Sequence, residues 1–449
     1  MIEALTTAFT DVQIGLSSFG VLLVLLALRL PLGAAMLLVG ILGSWIVTGD
    51  LRMVNNQLKT FTYGVFTNYS FSIIPLFLLM SEFASRGGLS SALFRAAETF
   101  VGHRRGGLAT AAIGASAGFG AICGSSLATA SSMGKVALPE LERAGYSGPL
   151  ATGALAAGGT LGILIPPSVV LVVYAILAEE NIEKLFTAAL VPGLIAMAGY
   201  MVTVSIYTRL VPDWGRTLPR QPWSERLRAL VEVWPVAAIF ALVIGGIYVG
   251  AFSPTAAAAV GVAGTATVAL ARGKLDRGAL AGSLLATART SAMIFFIIVA
   301  AGYYNAFLAS AQVPQTLAEA FLGSGWSPWA ILAGMLLMYL VLGTVMDSLA
   351  MIFLTVPIFI PIVGQLNFGL PPAEVGLWFG ILVLMAAEVG LITPPVGLNL
   401  FVINAMARNV SIGETYRGAL PFVVSDILRI ALLAAVPGIT LWLVRLLYG

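Results

Sequence analysis

Long, uninterrupted apolar runs are the feature that most restricts how this chain can fold. The runs cover residues 16–48, 62–84, 107–134, 150–178, 185–208, 234–251, 256–271, 291–311, 328–364, 376–406 and 425–447. A helix needs roughly 20 apolar residues to cross a hydrocarbon layer of about 30 Å, and two of the runs are long enough for two segments each. Continuous runs are typical of helices and not of the alternating strands of a barrel. The sequence therefore predicts an all-α, polytopic membrane protein with about ten to fourteen membrane segments.

The composition excludes a water-soluble fold and several kinds of enzyme. Hydrophobic residues make up 59% of the 449 residues and charged residues only 10%, whereas a soluble domain carries about 25% charged residues. Cys123 and His103 are single occurrences, so neither a disulfide nor a Cys/His zinc site is expected. An intramembrane serine protease would have to use His103, which lies in the basic turn 103–105, and we find no other nucleophile–base pair. We therefore expect no enzymatic activity and no cofactor.

The charges outside the runs indicate the orientation of the chain. Five arginines crowd residues 209–228, and three basic residues crowd 272–277. Two apolar segments separate these loops, so both lie on one side, which the positive-inside rule makes cytoplasmic. Because the basic residues flank membrane segments, they do not predict nucleic-acid binding. Glu3 and Asp11 precede the first run without any Lys or Arg, so we expect the first helix to be retained and not cleaved as a signal peptide.

Two short motifs occur twice along the chain. SSLA at 125–128 recurs as DSLA at 347–350, and GILIPP at 162–167 recurs as GLITPP at 390–395. The motifs keep their order, and the offsets of 222 and 228 residues are nearly equal. Duplicated halves with Gly- and Pro-interrupted segments are typical of secondary transporters, in which these segments mark the binding site. The motifs leave open whether the halves are inverted or parallel.

The first copy predicts a re-entrant hairpin followed by a broken helix. Seven glycines lie between residues 106 and 134, and each costs about 1 kcal/mol in a helix interior. This segment therefore suits a hairpin with its tip at 123–126. Pro166 and Pro167 remove two backbone donors and break the next helix.

Freed carbonyl groups and serine hydroxyls together would form a neutral oxygen cage. The carbonyls at 162–165 lose their helical partners, and broken backbone in a membrane is tolerated only where it is buried or lines a cavity. Neutral oxygens suit a weakly held monovalent cation such as Na+, since a divalent ion requires more negative charge. The predicted first cation site consists of Ser125, Ser126, Gly162 and Ile165.

The second copy replaces the first serine of the motif with an acid. Asp347 stands where Ser125 stands in the first copy, and a charge inside an apolar run is costly and usually functional. The predicted second cation site consists of Thr344, Asp347, Gly390 and Thr393.

Further polar residues lie in or next to the apolar runs. Ser168, Arg289 and Asn399 are candidates for lining a substrate cavity, and Glu388 is a second acid that either pairs with a neighbour or faces water. Structural explanations exist as well: arginines near helix ends usually snorkel to the interface, Gly/Ser-rich helices often mark close packing, and Pro-Pro is often only a kink. The duplication and the intramembrane Asp347 favour the functional interpretation.

Several segments, in the right order, resemble one known family. Residues 114–194 resemble the signature region of the large membrane subunit of TRAP (tripartite ATP-independent periplasmic) transporters. Residues 343–363 and 390–403 resemble the second-half motifs of that subunit, and residues 75–83 and 106–121 extend the match. The resemblance covers most of the chain.

The resemblance implies a fold, a function and a set of partners. The implied fold is that of the ion transporter superfamily, with two inverted repeats, a scaffold, and a transport domain that moves as an elevator. The implied function is Na+-driven uptake of small organic anions across the bacterial inner membrane. The implied partners are a small four-helix membrane subunit and a periplasmic solute-binding protein. By its motifs, the resemblance implies a first Na+ site made of Ser125, Ser126 and the backbone from Gly162 to Pro166. The second implied site comprises Asp347, Thr344, Gly390 and Thr393.

The expected organisation follows the two copies and the resemblance. It comprises first-repeat scaffold and arm helices at 1–105, hairpin 1 and a broken helix at 106–195, the inter-repeat loop and second-repeat scaffold helices at 196–290, hairpin 2 and a broken helix at 291–424, and a C-terminal helix at 425–449. We expect no fused small subunit ahead of the first helix.

Three alternatives stay open. The chain could be a standalone anion symporter or antiporter of the same superfamily, or a membrane scaffold or channel without coupled transport. The coupling ion could be a proton in place of Na+. Sialic acids, C4-dicarboxylates, keto acids and sugar acids are all candidate substrates.

Overall fold

The computed structural model describes residues 9–449, and every regular element in that range is helical. The first half contains α1 (Asp11–Ala27), α2 (Leu32–Thr48), α3 (Arg52–Thr67), α4 (Ile73–Arg86), α5 (Leu89–Val101), α6 (Gly107–Cys123), α7 (Ser126–Arg143), α8 (Gly148–Leu164), α9 (Val169–Leu177) and α10 (Ile182–Leu210). The second half contains α11 (Trp223–Tyr248), α12 (Pro254–Ala271), α13 (Arg277–Ser310), α14 (Val313–Gly323), α15 (Pro328–Gly343), α16 (Ser348–Val363), α17 (Pro372–Leu391), α18 (Leu398–Asn404), α19 (Ile412–Ala435) and α20 (Pro437–Tyr448). The predicted all-α class is confirmed. Glu3, which contributed to the prediction about the signal peptide, lies outside the described residues.

Six helices of the described chain are long and apolar enough to cross a membrane. They are α10, α11, α12, α13, α17 and α19, and two pairs of consecutive helices, α3 with α4 and α8 with α9, raise the number to eight if each pair is one span. This is fewer than the ten to fourteen segments predicted from the runs. Six further apolar helices, α1, α2, α6, α15, α16 and α20, have only 10–17 residues and are not included in this number.

The described chain forms two compact units. Unit 1 comprises residues 9–72, 288–334 and 352–376, and unit 2 comprises residues 73–287, 335–351 and 377–449. Within unit 1, Tyr304 of α13 lies against α1: its hydroxyl is 2.9 Å from Ser18 Oγ, and its ring meets Phe19 edge-on with centroids 5.8 Å apart. Aromatic side chains from distant parts of the sequence therefore hold this unit together.

The core of unit 2 is built around α8. Every residue of this helix from Leu150 to Leu164 is buried, and α6, α7, α10, α18 and α19 all contact it. The sequence permits this because α8 consists largely of Gly and Ala, which let neighbouring backbones approach closely. At Gly153 a side chain would collide with the backbone of Gly418 on α19. Close backbone contact, and not interlocking large side chains, holds α8 in place.

Four predicted interruptions of the helices are present in the structure. The α6–α7 hairpin turns at Gly124 and Ser125, and the α15–α16 hairpin turns at 344–347. Helix α8 ends at Leu164 and α9 begins at Val169, with their axes 46° apart. In the second half, α17 ends at Leu391 and α18 begins at Leu398, and the Pro-Pro bond in each break is cis. The predicted helix breaks at both Pro-Pro motifs are confirmed.

The close α8–α19 contact generates a first prediction. Adding a Cβ at Gly418 would place it against the Pro149 carbonyl oxygen, so Gly418→Ala should lower the free energy of unfolding by about 1–3 kcal/mol, as overpacked cores do. Gly413→Ala is the matched control, because it lies on the same helix with nothing within 4 Å of the new Cβ. Thermal unfolding of the purified protein in detergent measures both variants. Equal stability of the two would contradict this account of the packing.

Candidate functional site

The tip of the first hairpin lies against the break that follows α8. Gly124 has a φ of +66°, a conformation that favours glycine, and a Cβ there would lie 2.8 Å from the Pro167 carbonyl oxygen. Ser125 then caps α7, with its Oγ accepting the Ala128 N–H at 3.4 Å. The sequence thus requires a small residue followed by a capping residue at this tip.

Backbone oxygens face the end of α8 at this position. Pro166 and Pro167 carry no N–H, so the carbonyls of Gly162 and Ile163 have no helical donor four residues on. A Cβ on Gly162 would lie 2.7 Å from the Ser125 carbonyl oxygen. The structure therefore brings together Ser125 and Gly162, two residues predicted for one cation site.

The other members of the predicted first site occupy the same region. Ser126 is the first residue of α7 and is buried. Ile165 has extended backbone at the end of α8, and its N–H donates to the Leu161 carbonyl at 3.1 Å. Thr129, which the sequence reasoning did not select, is buried with its hydroxyl against Gly162. The sequence feature that could have identified Thr129 is its position four residues after the capping Ser125, which places both residues on the same face of α7.

The second hairpin repeats the cap of the first with a charged residue. Asp347 Oδ1 accepts the N–H of Ala350 at 3.1 Å, just as Ser125 accepts that of Ala128. Asp and Ser are both good capping residues, so the exchange keeps the local geometry. It adds one negative charge at the equivalent position.

The second break lies against the second hairpin in the same manner. A Cβ on Gly343 would lie 3.0 Å from the Gly390 Cα, and the Thr344 carbonyl accepts the N–H of Gly397 at 3.0 Å. The structure thus brings Gly343 and Thr344, at the tip that also holds Asp347, to the broken helix that holds Gly390 and Thr393.

The hydroxyl oxygens of Thr344 and Thr393 in the second cluster have lone pairs that can bind a further partner. The Thr344 hydroxyl donates to the Val341 carbonyl at 2.8 Å, and the Thr393 hydroxyl donates to the Val389 carbonyl at 2.6 Å. Each hydroxyl has one proton and two lone pairs, so these oxygens present only acceptor capacity elsewhere. The Gly390 carbonyl accepts the Thr393 N–H at 3.0 Å and retains its second lone pair. Such a set of oxygens can bind a cation.

Glu388 connects the two hairpins. It is buried on α17, its Oε1 accepts from Ser348 Oγ at 2.6 Å, and the Ser126 side chain also interacts with this carboxyl. Ser348 belongs to the second hairpin and Ser126 to the first. Of the two possibilities stated for Glu388, the structure shows pairing with neighbours.

The three candidates for a substrate cavity have different surroundings. Ser168 is buried and caps α9, accepting the N–H of Leu171 at 3.3 Å. Asn399 is buried on α18, and its Nδ2 donates to the Ala156 carbonyl of α8 at 3.3 Å while Oδ1 has no hydrogen-bond partner in the described chain. Arg289 is exposed and belongs to unit 1. It lies inside α13, which begins at Arg277, and not at the end of a helix.

A buried polar network adjoins the first cluster, and the sequence reasoning missed it. Tyr200 of α10 donates to Asp426 Oδ2 at 2.7 Å, and its hydroxyl lies 2.9 Å from Thr160 Oγ1 on α8. Asp426 also forms an ion pair with Arg429, one turn further along α19. The available signal was a pair of opposite charges inside an apolar run, which usually indicates function. The run at 425–447 had instead been assigned to a plain C-terminal helix.

Comparison with known proteins identifies a family for this architecture. The family model described as the "Tripartite ATP-independent periplasmic transporter, DctM component" matches residues 19–439. This range includes both hairpins, both broken helices and the buried network.

Individual relatives match over nearly their whole length. The chain is 37% identical to the C4-dicarboxylate TRAP transporter large permease protein DctM of Pseudomonas aeruginosa, with 83% of this chain and 86% of that protein covered. It is 30% identical to the sialic acid large permease protein SiaM of Vibrio cholerae, covering 96% and 99%. It is also 30% identical to the ectoine large permease protein TeaC of Halomonas elongata, covering 98% and 99%. These relatives are permease subunits and not enzymes.

A solved structure shares the fold. The crystal structure of the Alcanivorax borkumensis YdaH transporter aligns with a TM-score of 0.60 and 16% sequence identity, covering 85% of this chain and 88% of that one. At this identity the likeness shows the fold alone.

The contact between Ser348 and Glu388 generates a second prediction. Ser348→Ala removes a hydroxyl donor from a buried carboxyl, which should cost about 1–3 kcal/mol of unfolding free energy. In a Glu388→Gln background the same change should cost less, because the pair is already altered, and the difference is the coupling energy. Chemical unfolding of the four proteins in detergent completes the cycle. A coupling energy near zero would show that the hydrogen bond contributes nothing.

Proposed function

The chain belongs to the DctM component family of tripartite ATP-independent periplasmic transporters, and we propose that it couples import of a small organic anion to entry of Na+. It is thus a large membrane permease subunit. The observation that carries the finer proposal is the repeated cluster of oxygens, in which a capped hairpin tip meets a helix broken by Pro-Pro.

The first cluster fits a monovalent cation. Its oxygens come from the hydroxyls of Ser125 and Ser126 and from the carbonyls of Gly162 and Ile165 at the end of α8. None of these groups carries a formal charge, and a neutral set of oxygens binds an ion of low charge most readily. Thr129 adds a hydroxyl beside Gly162. We assign this cluster to one Na+.

The second cluster fits the same ion with one additional charge. Asp347 supplies a carboxylate, while Thr344, Thr393 and Gly390 supply oxygen lone pairs. One carboxylate balances one Na+, so the pair can be buried together at lower cost than either charge alone. A bound Na+ would supply positive charge at each hairpin tip, and the residues named here would hold it.

The proposed substrate is a small carboxylate. Two of the compared relatives are named for C4-dicarboxylates and for sialic acid, and a third is named for ectoine. Buried Asn399, with its free amide oxygen, and Ser168 lie next to the broken helices, and we propose that they line the substrate cavity. The substrate itself is chosen by the protein that delivers it.

The proposed partners follow from the tripartite description of the family. They are a small four-helix membrane subunit and a periplasmic solute-binding protein, with the complex in the bacterial inner membrane. Both cation clusters lie in unit 2, which supports the further proposal that they travel together as the moving part of an elevator.

Uptake by proteoliposomes tests the function. The chain is reconstituted with the small subunit and the binding protein of its own system, and uptake of radiolabelled succinate and of sialic acid is measured with an inward Na+ gradient. We expect uptake of at least one probe with the gradient and none when choline replaces Na+ at unchanged pH. Equal uptake in both buffers would exclude Na+ coupling, and uptake driven by a pH gradient alone would favour a proton.

Asp347→Asn tests the second cluster directly. Asn caps a helix nearly as well as Asp, so folding should be retained while the charge is lost. We expect Na+-dependent uptake to fall at least about tenfold, the lower end of what the loss of a supporting ligand partner costs.

Asp276→Asn is the matched control. Asp276 is an exposed capping residue whose Oδ1 accepts the N–H of Ala279 at 2.6 Å, so the same exchange removes a charge away from the clusters. Uptake by this variant should equal that of the unchanged protein. If Asp347→Asn also transports normally, Asp347 is not a cation ligand.

A further inference from the structure

We propose that Tyr200, held in place by Asp426, is a positioning residue for the first cation cluster. The inference rests on the proposed Na+ site, since it assigns to the buried network the task of fixing the end of α8 where that site begins. Neither residue contacts the ion in this account. They act through Thr160.

The network is continuous from α19 to α8. Asp426 accepts the Tyr200 hydroxyl at 2.7 Å, the Tyr200 oxygen lies 2.9 Å from Thr160 Oγ1, and Thr160 in turn lies 2.6 Å from the Ala157 carbonyl. Tyr200 and Thr160 are 0% exposed and Asp426 is 1% exposed. Three helices, α8, α10 and α19, therefore meet in one buried chain of hydrogen bonds.

The available protons give this chain a direction. Tyr200 has one proton, and the carboxylate of Asp426 is an acceptor only and the stronger one, so the proton points there. The Thr160 hydroxyl must then be the donor toward the Tyr200 oxygen, and it shares its proton with the Ala157 carbonyl. Arg429 orients Asp426: it is ion-paired with the carboxylate, and its guanidinium carbon lies 5.0 Å from the centroid of the Tyr200 ring.

The point of attachment on α8 is what links the network to the cation cluster. Thr160 lies two residues before Gly162, near the C-terminal end of the helix. The carbonyls of Gly162 and Ile163 lack the backbone donors that residues 166 and 167 would have supplied if they were not prolines, so hydrogen bonds within the helix fix this end less completely than other turns. A side-chain anchor from Tyr200 replaces part of the missing constraint.

The cost of burying the network argues against a purely stabilising role. A buried ion pair is often no more stable than apolar residues of the same volume. A hydrogen bond that holds a set of carbonyl oxygens to within a fraction of an ångström raises their affinity for an ion. The network can therefore increase ion affinity even where it adds little to the stability of the fold.

Tyr200→Phe tests the inference because it removes only the hydroxyl. The ring, its edge-on contact with Phe422 at 5.6 Å and the ion pair all remain possible. The readout is the thermal unfolding temperature of the purified protein titrated with NaCl, with choline chloride keeping the ionic strength constant. We expect the apparent dissociation constant for Na+ to rise about fivefold, as the loss of one buried hydrogen bond predicts. Thr160→Val should have the same effect, and Thr160→Ser, which keeps the hydroxyl, should restore the affinity.

Tyr248→Phe is the matched control. It removes a tyrosine hydroxyl that donates to the Phe186 carbonyl at 3.3 Å and has no contact with Thr160, so the Na+ affinity should not change. If Tyr200→Phe and Thr160→Val lower the unfolding temperature but leave the Na+ affinity unchanged, the network is structural and the inference is wrong. If the unchanged protein shows no specific response to NaCl, both the Na+ site and the inference fall.

Discussion

The structure depends on how backbone hydrogen bonds are satisfied where two helices are broken. In a membrane an unpaired carbonyl or N–H group is costly, so broken backbone must be covered by protein or line a polar cavity. At both Pro-Pro motifs the covering element is the tip of a helical hairpin, which approaches within backbone contact distance. The same lack of donors leaves backbone carbonyl oxygens at each break without a helical partner.

Close approach is possible only because glycine stands at the contact points. A Cβ on Gly162 would collide with Thr129 and Ser125, and a Cβ on Gly343 or Gly390 would collide with the backbone of the other. The glycines are therefore required for the packing of each hairpin tip against its broken helix. The buried Glu388, which interacts with a serine from each hairpin, connects the two clusters through a single side chain.

The parts of the site that the sequence predicted correctly are those set by local chemistry. Proline without an N–H breaks a helix wherever it occurs, and Ser125 and Asp347 cap their helices through contacts with residues three positions on. The apolar runs did not show where short breaks divide them, as in the runs at 16–48 and 328–364. The runs also did not show that α13 begins at Arg277, well before the run at 291–311.

The sequence by itself determined the helical class, the two repeated hairpins, the broken helices and their caps, because each depends on residues within a few positions of one another. Only the tertiary structure decided that Tyr200 meets Asp426, 226 residues away, and that Asn399 reaches Ala156, 243 residues away. Hydrophobic periodicity and amino-acid composition do not indicate such contacts between residues far apart in the sequence. They form only when Gly- and Ala-rich helices pack closely enough for buried polar groups to find partners, and each such hydrogen bond offsets part of the cost of burying a polar group.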